Sequence, residues 1–189
     1  MLKIWSLKQK QQQAENAAGG ANAKNKVTPG KLRVQHDLAA LEKDFDQRHQ
    51  SAVVLDFPNK EDQLHFNLTL NPDEGMYKGG SFKFTFDIDD LFPHHPPKVK
   101  CTQKLYHPNI EPQGNVCLNI LREDWKPVLD LRAVVFGLLH LFLEPNASDP
   151  LNKEAAEDLR VNREGFKRNV RTAMQGGSVR NVQYDRVMR

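Results

Sequence analysis

The sequence predicts an α+β domain, a four-stranded antiparallel meander sheet packed with helices, one N-terminal to the sheet and the others C-terminal. Three observations carry this. Apolar and polar residues alternate over two stretches near the middle of the chain, apolar residues recur at helical spacing on either side, and short connections separate the successive alternating stretches. Period-two alternation gives a sheet one buried and one solvated face. The order helix, strands, long loop, helices segregates the helices from the sheet.

The first helix opens at Thr28-Pro29, with Thr as N-cap and Pro at the first helical position. Val34, Leu38, Leu41 and Phe45 then recur at helical spacing. Ala52–Phe57 reads as a strand. In the second, Leu64, Phe66, Leu68 and Leu70 alternate with His65, Asn67 and Thr69; in the third, Phe82, Phe84, Phe86 and Ile88 alternate with Lys83, Thr85 and Asp87. Lys98–Lys104 is the fourth and carries Cys101, read as a core residue. From Leu105 to Val128 the pattern breaks at Pro108, Pro112, Gly114 and Pro127. A loop of that length inside a domain is usually functional. Asp130 caps an apolar helix whose stripe is Leu131, Val134, Val135, Leu138, Leu139 and Phe142. Residues 152–160 and 162–175 read as two more helices, the second ending at Gly176-Gly177.

A chain of 189 residues suffices for one domain with a substantial core plus extensions. The expected division is an N-terminal docking extension over 1–27, a core over 28–177 and a basic tail over 178–189. Residues 8–27, rich in Gln, Asn, Ala, Gly and Lys, have little to bury and read as a flexible linker. They would tether an apolar segment in which Met1, Ile4, Trp5 and Leu7 are docking anchors. No apolar run reaches the roughly 18 residues of a membrane helix, and Lys3, Lys8 and Lys10 interrupt any secretory h-region. The expected setting is therefore the cytoplasm and nucleus, with no membrane partner. The two cysteines, Cys101 and Cys117, have no metal-type spacing, so neither metal nor disulfide is expected.

The net charge of +3 divides unevenly: residues 1–30 carry five Lys against one Glu, and residues 160–189 carry seven Arg and one Lys against two acids, leaving an acidic middle. Basic ends read as solvated faces or as docking surfaces for acidic proteins. Nucleic acid is not expected as a partner, because no aromatic platform is interleaved with the cations.

The long loop carries the chemistry. Tyr106-His107-Pro108-Asn109 is followed eight residues beyond Asn109 by Cys117, then by Trp125 and Pro127. A Cys between Val116 and Leu118 is by itself more often buried than catalytic. The position of Cys117 after Gly114, in a long loop close to an amide, argues the other way.

This combination, with Glu144-Pro145-Asn146-Ala147-Ser148-Asp149-Pro150-Leu151-Asn152 downstream, resembles the ubiquitin-conjugating-enzyme family over roughly residues 28–177. The resemblance implies that fold and needs no cofactor. It also implies that Cys117 accepts a modifier's C-terminal glycine as a thioester and passes it to a lysine amine. Asn109 would hold the loop or stabilise the tetrahedral oxyanion. Asp149 would orient the attacking amine and take its proton, and Tyr106 would line the same gate. His107 and Pro108 would shape the loop.

Within the family the chain is most similar to the neddylation branch, which conjugates the Nedd/Rub ubiquitin-like protein to cullins. That likeness rests on Met1–Lys8, on Asn71–Gly75 and on Leu118–Val128. It implies a heterodimeric activating enzyme met by Trp5, Leu7 and Arg33, and a co-ligase pocket for an acetylated Met1. A RING-type ligase would meet the loops containing Pro93, His94, Pro127 and Val128. Ubiquitin as cargo is the alternative. A cysteine protease using Cys117, His107 and Asn109 would need His107 as base, and two groups flanking one proline are poorly placed for a relay.

Overall fold

The computed structural model describes residues 28–46 and 52–189. The predicted anchors Met1, Ile4, Trp5 and Leu7 lie outside them. In order come helix α1 (Pro29–Asp46), strands β1 (Val53–Asp56), β2 (His65–Leu70), β3 (Phe82–Asp87) and β4 (Lys98–Cys101), and a 3-10 turn at Asn119–Leu121. Helices α2 (Leu131–Leu143), α3 (Lys153–Val161) and α4 (Arg163–Met174) follow, then the short strands β5 (Ser178–Val179) and β6 (Val182–Gln183).

β1 to β4 form one antiparallel sheet in sequence order. Its register pairs Phe66 with Phe86, Leu68 with Phe84 and Leu70 with Phe82, so the period-two pattern turns all six side chains to the core. The aromatic pairs close the layer: Phe66 stacks on Phe86 at 4.7 Å between ring centroids, and Phe82 stacks on Phe142 of α2 at 4.1 Å. Cys101 is buried on the same face, and desolvation pushes its thiol up to about 12.

Each helix starts at a side-chain cap. The Thr28 hydroxyl accepts from Lys31 N at 3.2 Å, Asp130 from Ala133 N at 2.9 Å, Asn152 from Ala155 N at 3.1 Å and Asn162 from Gly165 N at 2.8 Å. Such caps stabilise a helix by roughly 1 kcal/mol each. α2 runs beneath the sheet, burying Leu131, Val134, Val135, Leu138, Leu141 and Phe142. Each of these contributes roughly 1.5–3 kcal/mol over exposure. Leu141 takes the place expected for Leu139, which is only partly buried, because the stripe drifts around a 3.6-residue helix.

The partly exposed Arg33 guanidinium donates from Nε to Asp37 at 2.8 Å, from Nη1 to Pro127 O at 3.1 Å and from Nη2 to Leu129 O at 2.8 Å. It fastens α1 to the segment entering α2 while neutralising Asp37, which is 2% exposed. Residues 178–189 were expected to be a basic tail. They fold back as the β5–β6 hairpin, burying Val179, Tyr184 and Val187. Val187 N donates to Met174 O at 2.9 Å and Ser81 N to Val187 O at 2.9 Å. Val182 and Met188 pack against the same core, so the apolar residues among the arginines face inward.

Candidate active site

The segment between β4 and α2 is irregular, and its shape begins at Gly114. That residue has φ +89°, and a Cβ there would lie 2.1 Å from Cys101 O, so only glycine fits. Cys101 N donates to Gly114 O at 2.8 Å, pinning the loop to β4, and Cys117 N donates to Asn109 O at 2.8 Å. Cys117 is thereby set beside Tyr106–Asn109 by backbone alone.

His107 is fully buried. Its Nε2 lies 3.0 Å from Leu141 O, and its Nδ1 accepts from Asn109 N at 3.0 Å. These partners define the tautomer protonated at Nε2. Burial drives its pKa down to about 4. A neutral ring with both nitrogens engaged shapes the turn.

Asn109 is 2% exposed. Its Oδ1 accepts from Asn146 N at 2.9 Å, while Nδ2 donates to Asn146 O at 2.9 Å and reaches Asp149 O at 3.5 Å. The amide thus closes the loop after α2 onto the loop before Cys117. Of the two roles the sequence left open, loop-holding is satisfied directly. An oxyanion would have to draw the second, weakly engaged N–H away from Asp149 O.

The Cys117 sulfur lies 3.4 Å from Asp149 Oδ2. Asp149 sits in the loop between α2 and α3. Cys117 is 6% exposed, yet its thiol opens into a pocket of about 170 Å³ lined with Asn109, Leu118, Asn119, Ile120, Leu141, Asn146 and Asp149. Desolvation, then the Asp149 hydrogen bond, raise the thiol pKa above its ordinary value; the Arg122 charge opposes them. The site therefore holds a protonated thiol at neutral pH with a carboxylate beside it.

Tyr106 was expected at the same gate, and the structure places it elsewhere. It is 3% exposed, and its ring packs between Phe166 of α4 and Tyr184 of the hairpin, each centroid 5.6 Å away. Its hydroxyl donates to Asp158 of α3. The alternation of the fourth strand breaks before Tyr106, so nothing local in the sequence showed which way the ring turns.

The two loops expected to meet a ligase are joined, since Trp125 Nε1 donates to Pro93 O at 2.8 Å. His94 and Pro127 are exposed, Pro93 is partly exposed and Val128 is 82% exposed. Among the described residues, no group of three or more His, Cys, Asp or Glu could hold a metal ion. None of the described helices is long and apolar enough to cross a membrane.

A free cysteine beside an asparagine-tied loop, on a four-stranded meander with this helix order, belongs to a known class. The family model for ubiquitin-conjugating enzymes matches residues 33–174, and the chain belongs to that family. More particular likenesses follow. The chain is 58% identical to the NEDD8-conjugating enzyme UBC12 of Yarrowia lipolytica, over 100% of this chain and 99% of that one. It is 45% identical to the Nedd8-conjugating enzyme UbcE2M of Drosophila melanogaster, covering 98% and 97% of the two. The solved structure of S. cerevisiae Ubc12 superposes with a TM-score of 0.78 at 40% identity, covering 98% of each chain.

Proposed function

We propose that the chain is a NEDD8-conjugating enzyme: it receives NEDD8 from an activating enzyme as a thioester on Cys117 and transfers it to a substrate lysine. The observation that carries this is the Cys117 thiol 3.4 Å from the Asp149 carboxylate in an open pocket. Relatives aligned over essentially the whole chain bear that name, which favours NEDD8 over ubiquitin as cargo.

The two transfers make different demands. In the first, the Cys117 sulfur attacks the thioester on the activating enzyme; one C–S bond forms as another breaks, so the exchange is nearly isoenergetic. A thiol of ordinary pKa is about 3% ionised at pH 7, and the raised pKa here lowers that share. In the second, the lysine Nζ lone pair attacks the thioester carbonyl. A C–N bond forms, the C–S bond breaks, the amine loses a proton and Cys117 leaves as thiolate. A free lysine is only about 0.04% neutral at pH 7. Partial desolvation on entering the pocket would raise that share about 100- to 1000-fold. Asp149 Oδ2 lies 3.4 Å from the sulfur, so an amine attacking the carbon bonded to that sulfur would arrive beside it. It accepts the proton from nitrogen and returns it to sulfur, which closes the proton balance without a cofactor. Pocket-lining Asn109 and Asn146 hold that carboxylate's loop. An oxyanion donor at Asn109 Nδ2 would contribute roughly 3–4 kcal/mol.

The partners of this reading are a RING-type ligase docking on Pro93, His94, Pro127 and Val128, and a cullin as substrate. Residues Trp5 and Leu7 would dock on the activating enzyme, and acetylated Met1 on a co-ligase. The compartment is the cytoplasm and nucleus.

The test is to charge three forms with NEDD8, its activating enzyme and ATP. The wild type should give a thioester cleaved by reductant, Cys117→Ser an oxyester that survives it, and Cys117→Ala no adduct. A reducible adduct on the alanine variant would place the acceptor elsewhere.

A further inference from the structure

Residues 178–189 fold against the active-site loop. Lys104 N donates to Asp185 Oδ2 at 2.8 Å, Asp185 N returns a bond to Lys104 O at 3.1 Å, and Tyr184 packs edge-on to Tyr106. The turn of the hairpin holds two non-glycine residues at positive φ, Arg180 at 50° and Asn181 at 64°. A type I′ turn needs that hand. A non-glycine residue is strained there, and such outliers cluster where the surroundings over-determine them. Here the overriding contact is visible: Arg180 Nη2 pairs with Asp158 Oδ1.

Asp158 is the node. Its Oδ2 accepts from the Tyr106 hydroxyl and, at 3.1 Å, from Asn169 Nδ2 of α4. The carboxylate is 15% exposed and joins α3, α4, the hairpin and Tyr106. The other end of α3 touches the same loop: Leu151 N and Asn152 N both donate to Pro108 O at 2.9 Å, and Asn152 is the α3 cap. Tyr106 to Asn109 is thus clamped to α3 at two points. The second of these points also holds the segment just after Asp149, and the neighbouring Asn109 O accepts from Cys117 N, so this loop sets Cys117 and Asp149 in register.

We infer that Asp158 and Arg180 are positioning residues for the lysine-transfer step, acting through Tyr106 to hold the Tyr106–Asn109 loop where Cys117 and Asp149 face each other. The inference rests on the reading of Cys117 as thioester acceptor. It separates the two half-reactions. Charging needs only an accessible thiol. Lysine attack needs Asp149 in register with the carbonyl carbon, and small misplacements of a catalytic group cost up to about a hundredfold.

Arg180 is half exposed, so its replacement leaves the core intact. Wild type, Arg180→Gln, Arg180→Lys and Tyr106→Phe would be charged with NEDD8, then chased with free L-lysine in single turnover across a range of lysine concentrations. Arg180→Gln and Tyr106→Phe should charge within about twofold of wild type while the maximal discharge rate falls roughly tenfold, with the half-saturating lysine concentration unchanged. Arg180→Lys, which keeps the cation on Asp158, should recover most of the rate. Discharge of Arg180→Gln at the wild-type rate, an equal fall in charging and discharge, or no recovery in Arg180→Lys would each overturn the inference. Failure of the wild type itself to charge would instead remove the conjugation reading.

Discussion

Acid should loosen the active-site loop before it touches most of the carboxylates, and the cause is one ring. His107 is buried with Nδ1 accepting from Asn109 N and Nε2 against Leu141 O. Its pKa drops from an ordinary 6.5 to about 4, chiefly by desolvation. The unfolded chain therefore binds a proton between those values while the folded chain does not, and stability rises with pH across the window. His107's contribution is fully present above about pH 6.5 and is lost as pH falls towards 4. The interval from 6.5 to about 4 is worth about 3 kcal/mol. Carboxylates act lower: Asp89, held below its ordinary 3.8 by its hydrogen bond from His95, loses its contribution only under that value. The other described histidines are exposed. Urea unfolding followed at half-unit pH steps from 7.5 to 4.5, on wild type and His107→Gln, isolates the ring. The wild type should lose about 2.5 kcal/mol more than the variant over the window. Parallel pH profiles for the two proteins would refute the buried neutral imidazole.

Three further outcomes follow from the site. In Asp149→Asn, loss of the carboxylate's hydrogen bond should lower the Cys117 pKa, because that bond raises it. Charging at pH 7 should then hold or quicken while lysine discharge falls about a hundredfold, as read in single-turnover gels. Gly114→Ala adds a methyl 2.1 Å from Cys101 O at φ +89° and should destabilise the fold by roughly 3 kcal/mol or more in chemical denaturation. Arg33→Gln leaves Asp37, 2% exposed, without its Arg33 partner and should cost roughly 1–3 kcal/mol in the same measurement; an unchanged stability would contradict the fastening role of Arg33.

What the sequence made legible was whatever had a period or a motif. Phe82, Phe84 and Phe86 announce a strand because the alternation is unbroken, and Asp130 announces a helix start because a cap has a fixed place. The Cys117 neighbourhood was legible through the spacing from Asn109, a family pattern rather than a physical periodicity. Directions of side chains in irregular backbone were not. Tyr106 turns toward Asp158 and Arg33 toward Pro127 and Leu129 because of partners 52 and about ninety-five positions away. The β5–β6 hairpin escaped because two-residue strands show no alternation, and Arg180-Asn181 is not the usual glycine-bearing turn.

The most direct measurement is intact-mass spectrometry of the protein after incubation with ATP, NEDD8 or ubiquitin, and each modifier's activating enzyme. One NEDD8 per chain, released by thiol reductant, mapped to Cys117 and formed well ahead of any ubiquitin adduct, is the expected result. Preferential loading of ubiquitin, or a NEDD8 adduct that maps to a residue other than Cys117, would contradict the account.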